Sequence, residues 1–221
     1  MKKLASILIF SLFLLCGCVS NSGTDSIQNG DLLFVGLPFD YGDDNMAGAI
    51  ADATGNGDTN YIHTAILEVD EQGEIWIIDA TIKHGVDRHP LDTFLVDFTL
   101  PDGSLPKLDV LRLRDNSRAD EYVENSKKFL GEEYDKWFLA GNGKHYCTEL
   151  VYDSYVHDGV HVFETVPMNF KNNQGEFPSY WVKLFAAIEA PIPQDEPGTN
   201  PQQMRYSPVL EQVNVVISKD F

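Results

Sequence analysis

The residues with chemistry to offer are Cys147, His63 and Asp79. Cys147 stands in Gly143-Lys144-His145-Tyr146-Cys147-Thr148-Glu149-Leu150-Val151, after a glycine-rich turn and at the start of an expected helix. Free amide N–H groups and the helix dipole favour a thiolate at that position. A thiolate beside an imidazole is an acyl-transfer nucleophile. A lone thiol is equally compatible with a buried, inert cysteine, because free Cys is among the most buried residue types.

The imidazole and its partner come from a hairpin. Residues 61–69 and 74–80 read as two strands around Glu71-Gln72-Gly73. If Val69 pairs with Gly73, His63 lies opposite Asp79. A three-residue loop with a glycine bulge instead puts His63 opposite Thr81, with Asp79 on the diagonal. Side chains alternate along a strand, so both registers keep His63 and Asp79 on one face, shared with Ala65, Leu67, Ile75 and Ile77. Two polar residues at the end of an apolar face are either a base with its orienting carboxylate or a hydrogen-bonded structural pair.

Around these residues the chain reads as one exported domain. Its 221 residues are 43% hydrophobic, with 13 Phe, 9 Tyr and 3 Trp, enough for a core and too apolar for a disordered chain. The formal net charge of −18 repels phosphate backbones, so nucleic-acid binding is excluded as an expectation. Lys2 and Lys3 precede an apolar run over residues 4–15, too short to span a membrane comfortably and shaped like a secretory signal. The run ends in Leu15-Cys16-Gly17-Cys18, which looks like a bacterial lipobox with Cys18 as the lipidated residue. Residues 1–17 are therefore expected as signal peptide, 18–28 as a lipidated tether and 29–221 as the domain. The expected location is a bacterial membrane, exported and lipid-anchored. Cys147 is then the only thiol of the mature domain, which cannot form an internal disulfide.

Further elements are expected as a strand from Gly30 to Val35, a helix-compatible piece near Met46, a helix or loop over 90–98 and a strand over 109–113. Helices are expected over 117–130, 147–157 (stopped by Gly159) and 180–188. A proline-rich loop over 191–208 and a last strand over 209–218 complete the chain. Loosely interleaved strands and helices argue α+β. There is no Gly-x-Ser-x-Gly, phosphate loop or dinucleotide fingerprint. The pairs His84/His89 and His157/His161 lack the Glu of a zinc-protease helix and read as exposed loop histidines, so no metal or cofactor is expected. His145 is expected to point away from Cys147. Tyr134 and Phe138 read as core or pocket wall, Tyr61 as packing, and Glu149 as an aid to helix start.

Several segments together resemble a known family. These are Gly30-Asp31-Leu32-Leu33-Phe34-Val35, Ile62-His63-Thr64-Ala65-Ile66, Ile77-Ile78-Asp79-Ala80 with Gly85-Val86, Tyr134-Asp135-Lys136-Trp137-Phe138, Tyr146-Cys147-Thr148-Glu149-Leu150-Val151 and Pro197-Gly198-Thr199-Asn200-Pro201. The chain resembles the circularly permuted papain-like amidases of the YaeF/YiiX group, distant relatives of the NlpC-type cell-wall peptidases. His63 precedes Cys147, which is the permuted order. The resemblance implies a permuted papain-like (NlpC-like) α+β fold, with an antiparallel sheet packed against helices. It implies Cys147 as nucleophile, His63 as base and Asp79 as the residue orienting His63, where many relatives carry the longer Glu. The expected activity is cleavage of an amide in cell-envelope peptides by a monomer. The alternatives are a non-catalytic lipoprotein holding a peptide or lipid in the same cleft, and a lipid acyltransferase.

Overall fold

The computed structural model describes residues 25–38, 45–55 and 59–218. The signal segment, Cys16 and Cys18 lie outside the described residues.

A six-stranded antiparallel sheet organises the chain in the order β10-β5-β1-β2-β3-β4. Its strands are β1 (Asp31–Pro38), β2 (Thr59–Val69), β3 (Ile75–Thr81), β4 (Gly85–Pro90), β5 (Lys107–Leu113) and β10 (Leu210–Val213). Helix α1 (Met46–Thr54) joins β1 to β2, and α2 (Leu91–Asp97) follows β4. After β5 come α3 (Ala119–Lys127) and α4 (Cys147–Ser154), then the two-residue pairs β6 (Val156–His157) with β7 (Val160–His161) and β8 (Val166–Pro167) with β9 (Pro197–Gly198). Helix α5 (Ser179–Ala187) lies between β8 and β9, and α6 (Pro201–Arg205) precedes β10.

Both faces of the sheet are covered. On one, Leu32, Phe34, Ile66, Ile78 and Ala80 pack with Leu150 and Val151 of α4, Val123 of α3 and Trp181 of α5. On the other, Leu33, Val35, Ala65, Leu67 and Ile77 pack with Leu91, Phe94 and Leu95 of α2. Two buried faces explain why β1 reads as a continuous apolar run and not an alternating one. The expected α+β architecture, an antiparallel sheet packed against helices, is what the chain forms.

Three local readings are corrected. The helix bearing Cys147 stops at Ser154, and residues 156–161 turn back as a hairpin in which Asp158 (φ 49°) and Gly159 (φ 76°) adopt the two left-handed conformations of a tight turn. The stretch over 191–208 is not all loop. Asn200 accepts a hydrogen bond from the Gln203 amide at 2.9 Å and Pro201 opens α6, a capping signal hidden among prolines. The final strand is confined to Leu210–Val213. Asp25 and Ser26, placed with the tether on sequence grounds, are bonded to the domain: Asp25 N donates to Asn214 O at 3.0 Å and Arg112 Nη2 to Ser26 O at 2.8 Å.

Arg112 also closes the start of β1. Its Nε and Nη2 donate to the two oxygens of Asp31 at 2.7 and 2.8 Å, and Asp31 is wholly buried. Removing one partner of such a pair strands the other charge. Arg112→Met is therefore expected to lower stability by about 3 kcal/mol in urea denaturation, while alkylation of Cys147 in the folded fraction stays at the wild-type rate.

Candidate active site

The hairpin resolves to the second of the two registers. Asp70 N donates to Glu74 O and Gly73 N to Asp70 O, each at 3.0 Å, closing a three-residue loop with Gly73 at φ 83°. Ile66 then faces Ile78 and Val69 faces Ile75. The hydrogen-bonded ladder stops at Ile66–Ile78, although both strands continue. His63 and Asp79 lie just beyond that point, on the diagonal. Their side chains meet: His63 Nε2 is 2.7 Å from Asp79 Oδ2.

A bulge in β2 aims the histidine. Val35 of β1 faces His63, but the next residue, Gly36, faces Tyr61, so Ile62 is an extra residue. The bulge reverses the alternation. Tyr61 belongs to the core under α4, whereas Ile62 sits with Ala65 and Leu67 on the α2 side. Rings of α2 and its exit flank the imidazole, Phe98 at 4.8 Å and Phe94 at 6.0 Å between centroids.

Cys147 arrives on the first position of α4. The preceding loop is fixed to the Tyr134 segment by Asp135 N donating to His145 O at 3.0 Å. Asp135, fully buried, accepts from the amides of Trp137 and Leu139 at 2.9 and 2.8 Å, which shapes the turn carrying Phe138. Tyr146 caps the helix. Its amide donates to Glu149 at 3.4 Å, and its hydroxyl accepts from the Thr199 amide at 3.0 Å. Helix α4 thus begins beside the open end of the β2–β3 ladder, and Cys147 and His63 line one cavity, close enough for the charge of the sulfur to act on the imidazole. Since Nε2 of His63 serves Asp79, Nδ1 is the nitrogen left for the sulfur.

Electrostatics favours a charged imidazole. Burial works against it. The negative charge of Cys147, its hydrogen bond, and the bond and charge of Asp79 outweigh that penalty and push His63 up to about 10. Cys147, His63 and Asp79 are at most 6% exposed. Two cavities meet at Cys147, Tyr134 and Ile50. One is aromatic, with Phe138, Phe170, Trp181 and Met168; the other holds His63, Lys83, Asp97 and Phe98.

The structure therefore brings together all three residues singled out in the sequence. His145 turns away, to Glu132 at 2.7 Å and Asp153 at 3.2 Å. His161 is exposed and stacks on Tyr152, and His157 pairs with Glu121. His89 is not an exposed loop residue: it is 7% exposed, in β4, opposite Ile77. The turn before Gly85 was the signal that would have returned a strand over residues 85–90 and placed His89 on the face of Asp79. Tyr134 was read only as wall, yet it borders both cavities beside the thiol. Among the described residues, no three His, Cys, Asp or Glu side chains converge to hold a metal ion.

A cysteine-bearing helix start set against a histidine on an antiparallel sheet is the arrangement of a papain-like cysteine hydrolase, here with the histidine first in the chain. The family model "permuted papain-like amidase enzyme, YaeF/YiiX, C92 family" matches residues 26–214, and the chain belongs to that family of cysteine peptidases and amidases. The metalloprotein yiiX from Escherichia coli O157:H7 shares the fold, with a TM-score of 0.64 at 24% identity over 84% of this chain and 96% of that one. No curated protein matches.

Glu149 lies two residues beyond the thiol in the first turn of α4 and is almost wholly buried. Burial first, then the charge of Asp135, raises it to about 8, against the opposing pull of His145 and the Tyr146 amide. A carboxyl raised in the fold holds its proton more tightly there than in the unfolded chain. Its stabilising effect is complete below about pH 4.5 and is lost as pH rises through about 8. Glu149→Gln keeps an acceptor for Tyr146 and removes the ionisation. Its melting temperature is expected to rise relative to wild type by roughly 5 °C between pH 5 and pH 9. Parallel melting curves across that range would refute the account.

Proposed function

We propose that this chain is an exported, lipid-anchored cysteine amidase in which Cys147 is the nucleophile, His63 the base and then acid, and Asp79 the residue that orients His63. The observation that carries the reading is a single buried imidazole bonded to Asp79 through Nε2 at 2.7 Å and sharing a cavity with the Cys147 thiol. The Cys147 sulfur attacks the amide carbonyl carbon. The resulting oxyanion is met by the Cys147 backbone N–H, one of the helix-start amides without an intrahelical partner. Tyr134 borders the same point and keeps its phenolic proton, because burial and then the charge of Cys147 hold it well above its ordinary value. Its hydroxyl donates to Met46 Sδ at 3.6 Å, and turned from that weak acceptor it would supply a second donor. His63 passes its Nδ1 proton to the leaving nitrogen as the C–N bond breaks, leaving a thioester. Water, deprotonated by His63, then releases the acid and regenerates the thiolate.

Envelope amides, with peptidoglycan stem peptides first, are the substrate class that fits a monomeric hydrolase tethered outside the cytoplasm. The aromatic cavity beside Cys147 supports a second reading, acyl transfer to or from lipids. A non-catalytic binding module would leave the pairing of Cys147, His63 and Asp79 without a purpose.

Release of amine from envelope peptides tests the mechanism. Cys147→Ala and His63→Ala are expected to abolish turnover, because nucleophile and base act as one unit. Asp79→Asn is expected to lower kcat by about a hundredfold with the fold intact. Turnover surviving Cys147→Ala would sink the reading. Since His63 must be protonated to expel the amine, activity is expected to persist through the neutral range and fall as pH rises through about 10. A basic limb near the ordinary histidine value would show that the pair does not hold the proton.

The anchor has its own test. Lipid on Cys18 would supply membrane residence at about 0.8 kcal/mol per buried CH₂. Cys18→Ser is expected to move the protein to the soluble fraction or stall its processing. Identical fractionation of wild type and mutant, with a mature N-terminus elsewhere, would remove the anchor from the proposal.

A further inference from the structure

Beyond His63, Asp79 has a second neighbour that the mechanism above leaves idle. His89 Nε2 lies 3.6 Å from Asp79 Oδ1, the oxygen not used by His63. Asp79 is wholly buried and the His89 side chain is 8% exposed. Among the described residues, Asp79 Oδ1 and both ring nitrogens of His89 have no hydrogen-bond partner. Three buried polar atoms without partners, two of them facing each other, are rare in a folded protein. The sheet makes the encounter unavoidable: His89 pairs with Ile77 and Asp79 pairs with Asp87, so His89 stands diagonal to Asp79 on the α2 side. Phe94 of α2 packs near the ring, at 6.3 Å between centroids.

We propose that His89 is a positioning residue of the active site. Its Nε2–H donates to Asp79 Oδ1 and so keeps Asp79 Oδ2 on His63. A carboxylate held at one oxygen swings about its last torsion, which is broad and roughly two-fold. Held at both, it fixes the plane of the imidazole and therefore the direction of Nδ1 toward Cys147. The 3.6 Å separation is longer than a formed hydrogen bond, and a shift of well under about 1 Å in ring or carboxylate closes it, as catalytic contacts tighten when the site is engaged. The other ionisable groups near His89 are Asp87 on its own strand, with Oδ2 3.9 Å from Nδ1, and His84 in the β3–β4 turn, whose ring is at 6.1 Å. Asp97 of α2 is engaged by His84 and Lys83. The inference rests on the Cys147–His63–Asp79 reading.

The test uses iodoacetamide alkylation of Cys147 in the full domain, which needs no substrate, followed from about pH 6 to about pH 10.5, with melting curves for every variant. Under the proposed mechanism an imidazolium beside the sulfur would keep Cys147 reactive at the low end, whereas alkylation at the high end would need no help from His63. His89→Phe fills the space without a donor and is expected to slow alkylation about tenfold near pH 6, the worth of a hydrogen bond to a charged group, with less than about a twofold change near pH 10.5. His89→Gln restores an N–H and is expected to recover most of that loss. In an Asp79→Ala background, His89→Phe is expected to have no further effect, because its influence passes through Asp79. If Phe is not accommodated, His89→Leu takes its place in the same cycle. An equal loss in both backgrounds, an equal loss at both pH extremes, or a Gln variant as slow as Phe would overturn the role of His89. Unchanged low-pH alkylation in His63→Ala would instead overturn the underlying triad, so the two failures are distinguishable.

Discussion

A histidine that holds its proton inside a protein must be enclosed by negative charge. His63 is 6% exposed, and burial alone would strip the proton from it. The sulfur of Cys147 and the carboxylate of Asp79 reverse that outcome, and the ring is held charged up to about 10. Each partner depends on the others in turn, since the buried carboxylate would be a large liability without the imidazolium. His63 stands between the Asp79 carboxylate and the Cys147 sulfur, and that placement is the constraint the local irregularities of the fold satisfy.

The two partners come from elements far apart in sequence, β3 and the start of α4, so the histidine between them must be reachable from both. A regular β2–β3 ladder would prevent this, because α4 packs on the sheet face opposite to that of Asp79. The ladder instead ends at Ile66–Ile78, and the Ile62 bulge turns β2 just beyond it. Phe98 and Phe94 then limit the ring's motion. Nothing in this assembly uses chain order. Permutation alters which loops join the elements, while the side-chain contacts among residues 63, 79 and 147 depend only on where the sheet ends and the helix begins.

What could be read from the sequence followed period and turn chemistry. Alternation in the hairpin put His63 and Asp79 on one face under either register, and the glycine-rich approach to Cys147 marked a helix start. Gly73 was the residue that selected the register, but two loop types were compatible with it. The bulge was not legible. Ile62 is apolar on either face, so its reversal of the alternation leaves no trace in composition. Strand β4 was missed because Asp87, Arg88 and His89 look like a polar loop. Arg88 is polar because it lies over Trp76 at 3.8 Å and donates to Glu68 at 2.5 Å, and His89 because it faces Asp79. Helix α6 was lost among prolines, one of which is the residue that starts it.

Chemistry also orders the two cavities that meet at Cys147. In the proposed mechanism the leaving group receives its proton from Nδ1 of His63, which would place the leaving amine in the cavity that contains His63, together with Lys83 and Asp97. The part of the substrate that stays on sulfur then projects to the other side of Cys147, toward Phe138, Phe170, Trp181 and Met168. Aromatic walls of this kind reward apolar contact and offer few partners to charge. Under the mechanism proposed above, the acyl half is therefore selected by its apolar surface and the amine half by the cavity that carries Lys83 and Asp97. A hydrolase of peptide amides and an acyltransferase of lipids differ in what occupies the second cavity after the amine has gone. Water there completes hydrolysis, whereas a second amine or alcohol held in place of water would complete transfer, with the same three residues moving the same proton.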